Sequence, residues 1–146
     1  MQVSAQGIEL LIGREDLRTE AYQDGVGVWT IGVGHTGPEV SENVVWTREK
    51  CEAVFTKDLQ RFEDAINSHV TVDLEQFQFD ALVSFAFNVG IGAFESSTML
   101  KLINAGDMEG AAGQFERWHI PPEIISRRNG ERAQFEGTAF QPRLEG

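Results

Sequence analysis

A short stretch rich in glycine, β-branched and aromatic residues interrupts a chain whose pattern is otherwise helical. It runs from Tyr22 to Gly37 and includes the run VWTIGV at residues 28–33. Glycine and β-branched residues are poor helix formers, whereas β-branched and aromatic residues are enriched in strands. Asp24-Gly25 is a turn signal between two such runs. This stretch therefore predicts a small antiparallel sheet near the amino terminus.

The segments on either side carry the three- and four-residue spacing of amphipathic helices. Ile8, Leu11 and Ile12 place a helix at about residues 4–13, and Ser4 is suited to be its N-cap. The same spacing predicts later helices at about residues 48–66, 73–89, 97–105, 107–118 and 128–135. A helical body with one sheet is an α+β fold.

The length of 146 residues suits a single domain over residues 1–146. We expect a sheet lobe at about 15–45, a helical lobe at about 46–146 that also takes in the amino-terminal helix, and a cleft between the two lobes. Cys51 is the only cysteine, so an intramolecular disulfide is excluded, and its helical context indicates a small packed side chain.

Charge and motifs exclude several classes of function. The net charge of −11 disfavours nucleic-acid binding, because such a chain would add negative charge to a polyphosphate. The first residues have neither a basic region nor a long apolar run, which predicts no signal peptide and no membrane insertion. The histidines lack the spacing of metal ligands, and phosphate-loop and dinucleotide fingerprints are missing, so no metal and no cofactor are expected.

Glu15 stands where the apolar stripe of the first helix would continue. It follows Leu11 by four residues and Ile12 by three. A carboxyl group held against apolar surface keeps its proton more readily, which suits a general acid. Periodicity alone favours the other interpretation, a solvated residue at the helix end, because most glutamates are exposed.

Two further polar residues, Asp24 and Thr30, favour the interpretation of Glu15 as a general acid. Eight residues separate Glu15 from Asp24, and five separate Asp24 from Thr30. Strand alternation sends Trp29 and Ile31 to one face of the sheet and Thr30 to the other, beside glycines that leave open space. Two carboxylates flanking a cleft, with a hydroxyl nearby, are the groups that hydrolyse glycosidic bonds.

The segment from Glu15 to Gly37 resembles the active-site signature of the phage-type lysozymes, glycoside hydrolase family 24, which includes the T-even phage lysozymes. Glutamate, aspartate and threonine have the same order and spacing in that family. Further blocks resemble it at residues 81–98, 104–107, 118 and 127–132, so the resemblance covers nearly the whole chain. It implies a lysozyme-like fold and an endolysin that cuts peptidoglycan between N-acetylmuramic acid and N-acetylglucosamine, causing host cell lysis.

The resemblance also implies a role for each residue of the triad. Glu15 would protonate the leaving oxygen. Asp24 would orient the attacking water or stabilise the oxocarbenium-like transition state, and Thr30 would help to hold that water. Inversion at the anomeric carbon is implied, for which the two carboxyl groups should lie about 6.5–9.5 Å apart.

Other positions match supporting residues of the family. His35 corresponds to a scaffold histidine that is hydrogen-bonded at the end of the sheet, and Gly34 and Phe94 match positions that line the glycan cleft. The phenylalanines between Phe77 and Phe94 allow an aromatic sugar platform or a hydrophobic core, and we expect core for all but Phe94.

Arginines are expected to support the site electrostatically. Arg18 and one of Arg127 or Arg128 should pair with carboxylates near the cleft, and spacing does not decide which. The family usually has glycine where this chain has Asp16. That aspartate could alter the acidity of Glu15 or disturb the helix end.

The acidity of the chain predicts how salt affects its activity. A protein with a net charge of −11 is repelled by an anionic cell wall, and added salt screens that repulsion. Turnover of purified peptidoglycan should therefore rise as salt is added from very low concentration. A steady fall over that range would contradict the prediction.

Three biological roles remain open from the sequence. The first is an active endolysin, a monomer held in the host cytoplasm until a holin-type pore releases it to the periplasmic cell wall. The second is a binding or regulatory module that has lost turnover, and the third is a toxin-like or tail-associated muramidase. Chitin-like polymers are possible side substrates. The intact triad favours an enzyme.

Overall fold

A computed structural model describes residues 1–138 of the chain. Within these residues one antiparallel sheet of two strands is accompanied by α-helices, which confirms the predicted α+β class with one small sheet near the amino terminus. The elements in chain order are α1 (Ala5–Glu15), β1 (Arg18–Gln23), β2 (Trp29–Gly32), α2 (Arg48–Asp58), α3 (Gln60–His69), α4 (Gln76–Val89), α5 (Ile91–Glu95), α6 (Thr98–Asn104), α7 (Met108–Gln114) and α8 (Ile125–Phe135). No helix in this part of the chain is long and apolar enough to span a membrane.

The chain forms two compact units. The first, called here the sheet unit, is Ile8–Gln60, and the second, the helical unit, is Met1–Gly7 together with the described residues from Arg61 onwards. The sheet unit therefore extends well past residue 45, where the sequence placed the lobe boundary. The reason is that α2 packs against the sheet.

The sheet unit has its own apolar cluster. Strands β1 and β2 pair with Tyr22 opposite Thr30. Ile31, Trp46 and Cys51 are buried in the cluster, and Trp29 packs against it from the same face as Ile31. The predicted strand alternation and the predicted packing of Cys51, which is 1% exposed, are both confirmed.

The first turn of α1 is capped as the sequence predicts. The Ser4 hydroxyl accepts a hydrogen bond from Gly7 N at 3.0 Å, which satisfies one of the amide groups that a helix start leaves unpaired. Ser4 Oγ also donates to Asp80 Oδ2 at 2.5 Å. Any side chain at Gly7 would clash, because its Cβ would lie 2.6 Å from Asp80 Cγ.

Helix α4 is the central helix of the helical unit. Every residue from Phe79 to Ala86 is buried, so the helix is covered on all sides over this stretch. The predicted buried face was wrong at Phe77, which is 40% exposed, whereas Phe79 is fully buried. The helix also begins later than Asp73, since Glu75 N donates to Gln78 Oε1 at 2.9 Å at the helix start.

Aromatic rings join α4 to the later part of the chain. Phe85 lies 5.4 Å from Phe115 and 5.5 Å from Trp118 in edge-to-face geometry, and Phe115 lies 5.6 Å from Phe135 (ring centroids). Such pairs add stability beyond the area that they bury. The core interpretation of the phenylalanines is thus confirmed for Phe85.

Several element boundaries differ from the sequence prediction. The helix predicted at about 48–66 is two helices, since α2 ends at Asp58 and α3 begins at Gln60. Helix α7 ends at Gln114 and is followed by a 3₁₀ turn at Phe115–Arg117. Helix α5 is an additional short helix that apolar spacing did not indicate.

Candidate active site

Glu15 is the last residue of α1 and is half-buried. The helix therefore continues past Gly13, as the placement of Glu15 on the apolar stripe requires. Asp16 ends the helix: its backbone φ is +69°, and its N–H donates to Ile12 O at 2.9 Å. The Asp16 side chain then accepts from Leu17 N at 3.0 Å. The helix end that carries Glu15 is thus formed with an aspartate in place of glycine.

The conformation of Asp16 leads to a prediction about stability. Left-handed backbone costs an L-residue about 1–2 kcal/mol, and glycine adopts it without that cost. We expect the free energy of unfolding, measured with urea, to be about 1 kcal/mol higher for Asp16→Gly than for Asp16→Ala. Asp64, exposed on α3, is the control, because there alanine should be better than glycine by a similar amount. If the glycine variant were the more stable of the two at both positions, or the alanine variant at both, the prediction would be contradicted.

Asp24 lies directly after β1 and is exposed. Its Oδ1 accepts hydrogen bonds from Val26 N and from Val28 N, both at 2.9 Å. Its own N–H donates to Val28 O at 2.9 Å. The turn predicted at Asp24-Gly25 is confirmed, and this turn holds one oxygen of the carboxylate in place.

Thr30 lies on β2 and is 4% exposed. Its Oγ1 donates to Val28 O at 3.0 Å, the same carbonyl that accepts from Asp24 N. The predicted open space above Thr30 was therefore wrong for its side chain, which is covered. Val28 connects the two residues, because its N–H binds the Asp24 carboxylate and its carbonyl binds both.

His35 follows β2 in a tight turn. Ile31 and His35 exchange two backbone hydrogen bonds of 2.9 Å. The His35 ring lies between two carboxylates, with Nδ1 at 2.6 Å from Asp58 Oδ2 and Nε2 at 2.6 Å from Glu39 Oε1. Its centroid is 5.5 Å from that of Trp46. These contacts are those of a residue that fixes the end of the sheet against α2.

The two carboxylates change the acidity of His35. Partial burial acts to lower the pKa of His35, but the hydrogen bonds to Glu39 and Asp58 and their negative charges outweigh it, so its pKa is raised above 6.5. The hydrogen bond from His35 lowers the pKa of Glu39 below 4.5. Both shifts mean that the ion pair stabilises the fold where both groups are charged.

This pair predicts how stability depends on pH. Because the pKa of His35 is raised in the folded state, its contribution is complete below about pH 6.5 and is lost as pH rises through the folded pKa. We expect the free-energy difference between wild type and His35→Gln to be about 1 kcal/mol at pH 6 and to shrink towards pH 9. Urea unfolding at several pH values measures it. His69→Gln, which removes an exposed histidine paired with Glu95, is the control and should show a smaller difference. A difference that grows with pH would contradict the prediction.

Gly34 and Phe94 are the predicted substrate-binding residues, and they differ in solvent exposure. Gly34 is exposed at φ +68°, and no atom lies within 4 Å of the position of a Cβ. Phe94, on α5, has no exposed surface, so its side chain belongs to the hydrophobic core. The expectation that Phe94 lines a glycan surface is corrected for that reason.

Arg18 is exposed at the start of β1. Its Nε lies 3.5 Å from Asp16 Oδ2, and its guanidinium stacks 4.6 Å from the centre of the Tyr22 ring. The predicted pairing of Arg18 with a carboxylate is thus present. Its partner is the residue next to Glu15.

Arg127 and Arg128 both pair with Glu131, one turn further along α8. Arg127 Nε donates to Glu131 Oε2 at 3.1 Å, and Arg128 Nε lies 2.7 Å from Glu131 Oε1. Ser84 Oγ on α4 donates to Glu131 Oε2 at 2.5 Å. Glu131 is fully buried and Arg128 is 1% exposed, so this is an ionic cluster inside the helical unit.

Reasoning from the sequence missed three partners. Glu131 follows the arginines by four and three residues, which is helical ion-pair spacing and could have identified it. Glu39 and Asp58 gave no such signal, because the first lies in a loop and the second is 23 positions from His35.

The structure places the predicted site residues in two groups. Most of them belong to the sheet unit: Glu15, Arg18, Asp24, Thr30, Gly34 and His35. The triad therefore lies within one compact unit. Phe94, Arg127 and Arg128 belong to the helical unit.

The chain is similar to known proteins in sequence and in fold. Residues 13–131 match the family model described as phage lysozyme. The endolysin of Salmonella phage P22 is 43% identical over 143 residues, which cover 92% of this chain and 98% of that protein. The endolysin of Bacillus phage B103 is 42% identical, and the chain spans 54% of its length. A crystal structure of a P22 lysozyme mutant superposes with a TM-score of 0.88 at 42% identity, covering 93% of this chain and 99% of that one.

These comparisons identify the chain as a lysozyme-type glycoside hydrolase. The chain belongs to the phage lysozyme family. The resemblance stated from the sequence is confirmed.

Proposed function

We propose that this chain is an endolysin that hydrolyses the β-1,4 bond between N-acetylmuramic acid and N-acetylglucosamine in bacterial peptidoglycan and so lyses the host cell. The observation that carries the proposal is the triad on one compact unit, with Glu15 at a helix end and Asp24 in the hairpin turn. Similarity to the P22 endolysin over nearly the full length of both chains supports it. A binding module without turnover is not favoured, because all three positions of the triad are occupied.

The proposed reaction uses two carboxyl groups in different protonation states. Protonated Glu15 donates its proton to the glycosidic oxygen as the bond to the anomeric carbon breaks. Ionised Asp24 accepts a proton from water, whose oxygen forms the new bond to that carbon from the opposite face. The product has the inverted anomeric configuration. Glu15 is half-buried at the end of α1, and Asp24 is exposed after β1.

Thr30 is assigned a supporting role beside Asp24. Its hydroxyl proton is engaged by Val28 O, so a water molecule could approach Oγ1 only as a donor. In that orientation the lone pairs of the water remain available for attack. Thr30→Val should therefore lower turnover, whereas Thr30→Ser should retain most of it. Equal loss in both variants would argue against the role of the hydroxyl.

Product analysis tests the bond that is cut. Purified peptidoglycan is digested with the protein, the products are reduced with borohydride, and mass spectrometry identifies the reduced end. A muramidase gives reduced N-acetylmuramic acid, and the Glu15→Gln variant should form this product far more slowly. Reduced N-acetylglucosamine or a 1,6-anhydro product would overturn the proposed specificity.

The anomeric outcome is tested separately on a soluble glycan fragment. Proton NMR during the first minutes should show the α-anomer of the new reducing end before mutarotation. Initial formation of the β-anomer would indicate a retaining enzyme and a covalent role for Asp24. Hydrolysis itself would still be established in that case.

We also propose that the protein acts as a monomer and reaches the periplasmic wall from the host cytoplasm through a holin-type pore. Membership of the phage lysozyme family supports this proposal. Expression in bacteria with and without a separate pore-forming protein tests it. Lysis should require both proteins, and lysis by this chain alone would contradict the release step.

A further inference from the structure

The loop between the two strands holds the Asp24 side chain through backbone groups. Oδ1 accepts from the amides of Val26 and Val28, and Gly27 N donates to Asp24 O at 3.0 Å. Because one carboxylate oxygen is fixed by two donors, the direction of the other follows from the path of the loop. The orientation of Asp24 therefore depends on the backbone groups of Val26, Gly27 and Val28.

Gly27 is the residue of this loop with a left-handed backbone. Its φ is +85°, and a Cβ built there would meet no atom within 4 Å. Space therefore does not require glycine at this position, whereas the backbone angle does. Gly25 also has open space around a Cβ but no positive φ. Gly27 and Gly25 therefore differ in the sign of φ and not in the space available for a side chain.

We infer that Gly27 is a positioning residue for the reaction, acting through Asp24 and Thr30. A side chain at Gly27 disfavours φ +85°, most strongly when it is β-branched. Return to a negative φ would turn the Gly27–Val28 peptide, whose N–H holds Asp24 Oδ1, and would displace the next peptide, whose Val28 carbonyl accepts from Thr30 Oγ1. One glycine thus sets the direction of both side chains. The inference rests on the proposed catalytic role of Asp24.

Three variants separate backbone angle from the loss of a glycine. Gly27→Val should lower kcat by about 10- to 100-fold with little change in KM. The reason is that displaced catalytic groups weaken contacts to the transition state more than they weaken substrate binding. Gly27→Asn should retain most activity, since asparagine tolerates left-handed backbone. Gly25→Val is the matched control and should stay within about twofold of wild type. The Tm values, which report folding, should differ little because the loop is exposed.

A combined variant tests whether Gly27 acts through Asp24. In an Asp24→Ala background, Gly27→Val should lower kcat by a smaller factor than in the wild-type background, since one of the two groups that it positions is absent. Equal loss in both backgrounds, or equal activity of Gly27→Val and Gly25→Val, would overturn the inference and leave the proposed function intact. Wild-type activity of Asp24→Ala would instead overturn the proposed role of Asp24, and the inference with it.

Discussion

Glu15→Gln is expected to lower the rate of peptidoglycan hydrolysis by about 10²- to 10⁴-fold, the range that general acid catalysis contributes. The amide has nearly the same shape as the carboxylic acid but cannot protonate the leaving oxygen. Glu15 is half-buried at the end of α1, so substrate binding and folding should change little. The expected signature is a large fall in kcat with KM nearly unchanged.

A turbidity assay on outer-membrane-permeabilised bacteria measures the rate, and sedimentation with purified peptidoglycan measures binding. Glu9→Gln is the matched control, because Glu9 lies exposed on the same helix and receives the same replacement. It should retain wild-type activity. Substantial lysis by Glu15→Gln would remove Glu15 as the acid, whereas equal loss in both variants would indicate an effect on the helix rather than the loss of an acid.

Glu131→Ala is expected to lower the free energy of unfolding by about 3–5 kcal/mol, the range for removing one partner of a buried ion pair. Glu131 is fully buried on α8 and accepts from Ser84 on α4 and from Arg127. Its removal takes the carboxylate away from Arg128, which is 1% exposed. A guanidinium kept in the interior without that charge is strongly disfavoured.

Urea unfolding measures this loss, and two further variants identify its cause. Glu136→Ala removes an exposed partner of Arg132 at the end of the same helix and should cost less than about 1 kcal/mol. Replacing Arg128 together with Glu131, in Arg128→Met with Glu131→Leu, should recover part of the stability, because the guanidinium of Arg128 is removed along with its carboxylate. If the double variant is less stable than Glu131→Ala, specific hydrogen bonding rather than charge burial accounts for the loss.

Features that depend on neighbouring residues could be predicted from the sequence. The Ser4 cap, the turn at Asp24 and the alternation of Trp29 and Ile31 involve contacts within a few positions of the chain. Their hydrogen bonds and side-chain directions follow from local geometry. The order and spacing of Glu15, Asp24 and Thr30 likewise indicated the family, which the comparisons confirmed.

The position of the left-handed residue in the loop could not be predicted from the sequence. Asp24-Gly25 predicts a turn, but the positive φ lies at Gly27. Both are glycines, and a glycine in the sequence does not report which backbone angle it adopts. Only the hydrogen bonds that close the loop on Asp24 decide which of them requires glycine.

Burial and charge pairing were decided by the tertiary structure. Phe77 is partly exposed while Phe94 is fully buried, although apolar spacing and resemblance indicated the reverse. The partners of His35 come from a loop and from α2, and no sequence pattern indicated either of them.

The physical reason lies in the range of the interactions. A cap or a turn is completed by atoms a few bonds away, so residue identity and spacing determine it. Whether a side chain is covered, and which charge it meets, depends on segments that are distant in sequence and close only after folding. For this protein the sequence alone determined the fold class and the family, and the packing decided the surroundings of Thr30, His35 and Glu131.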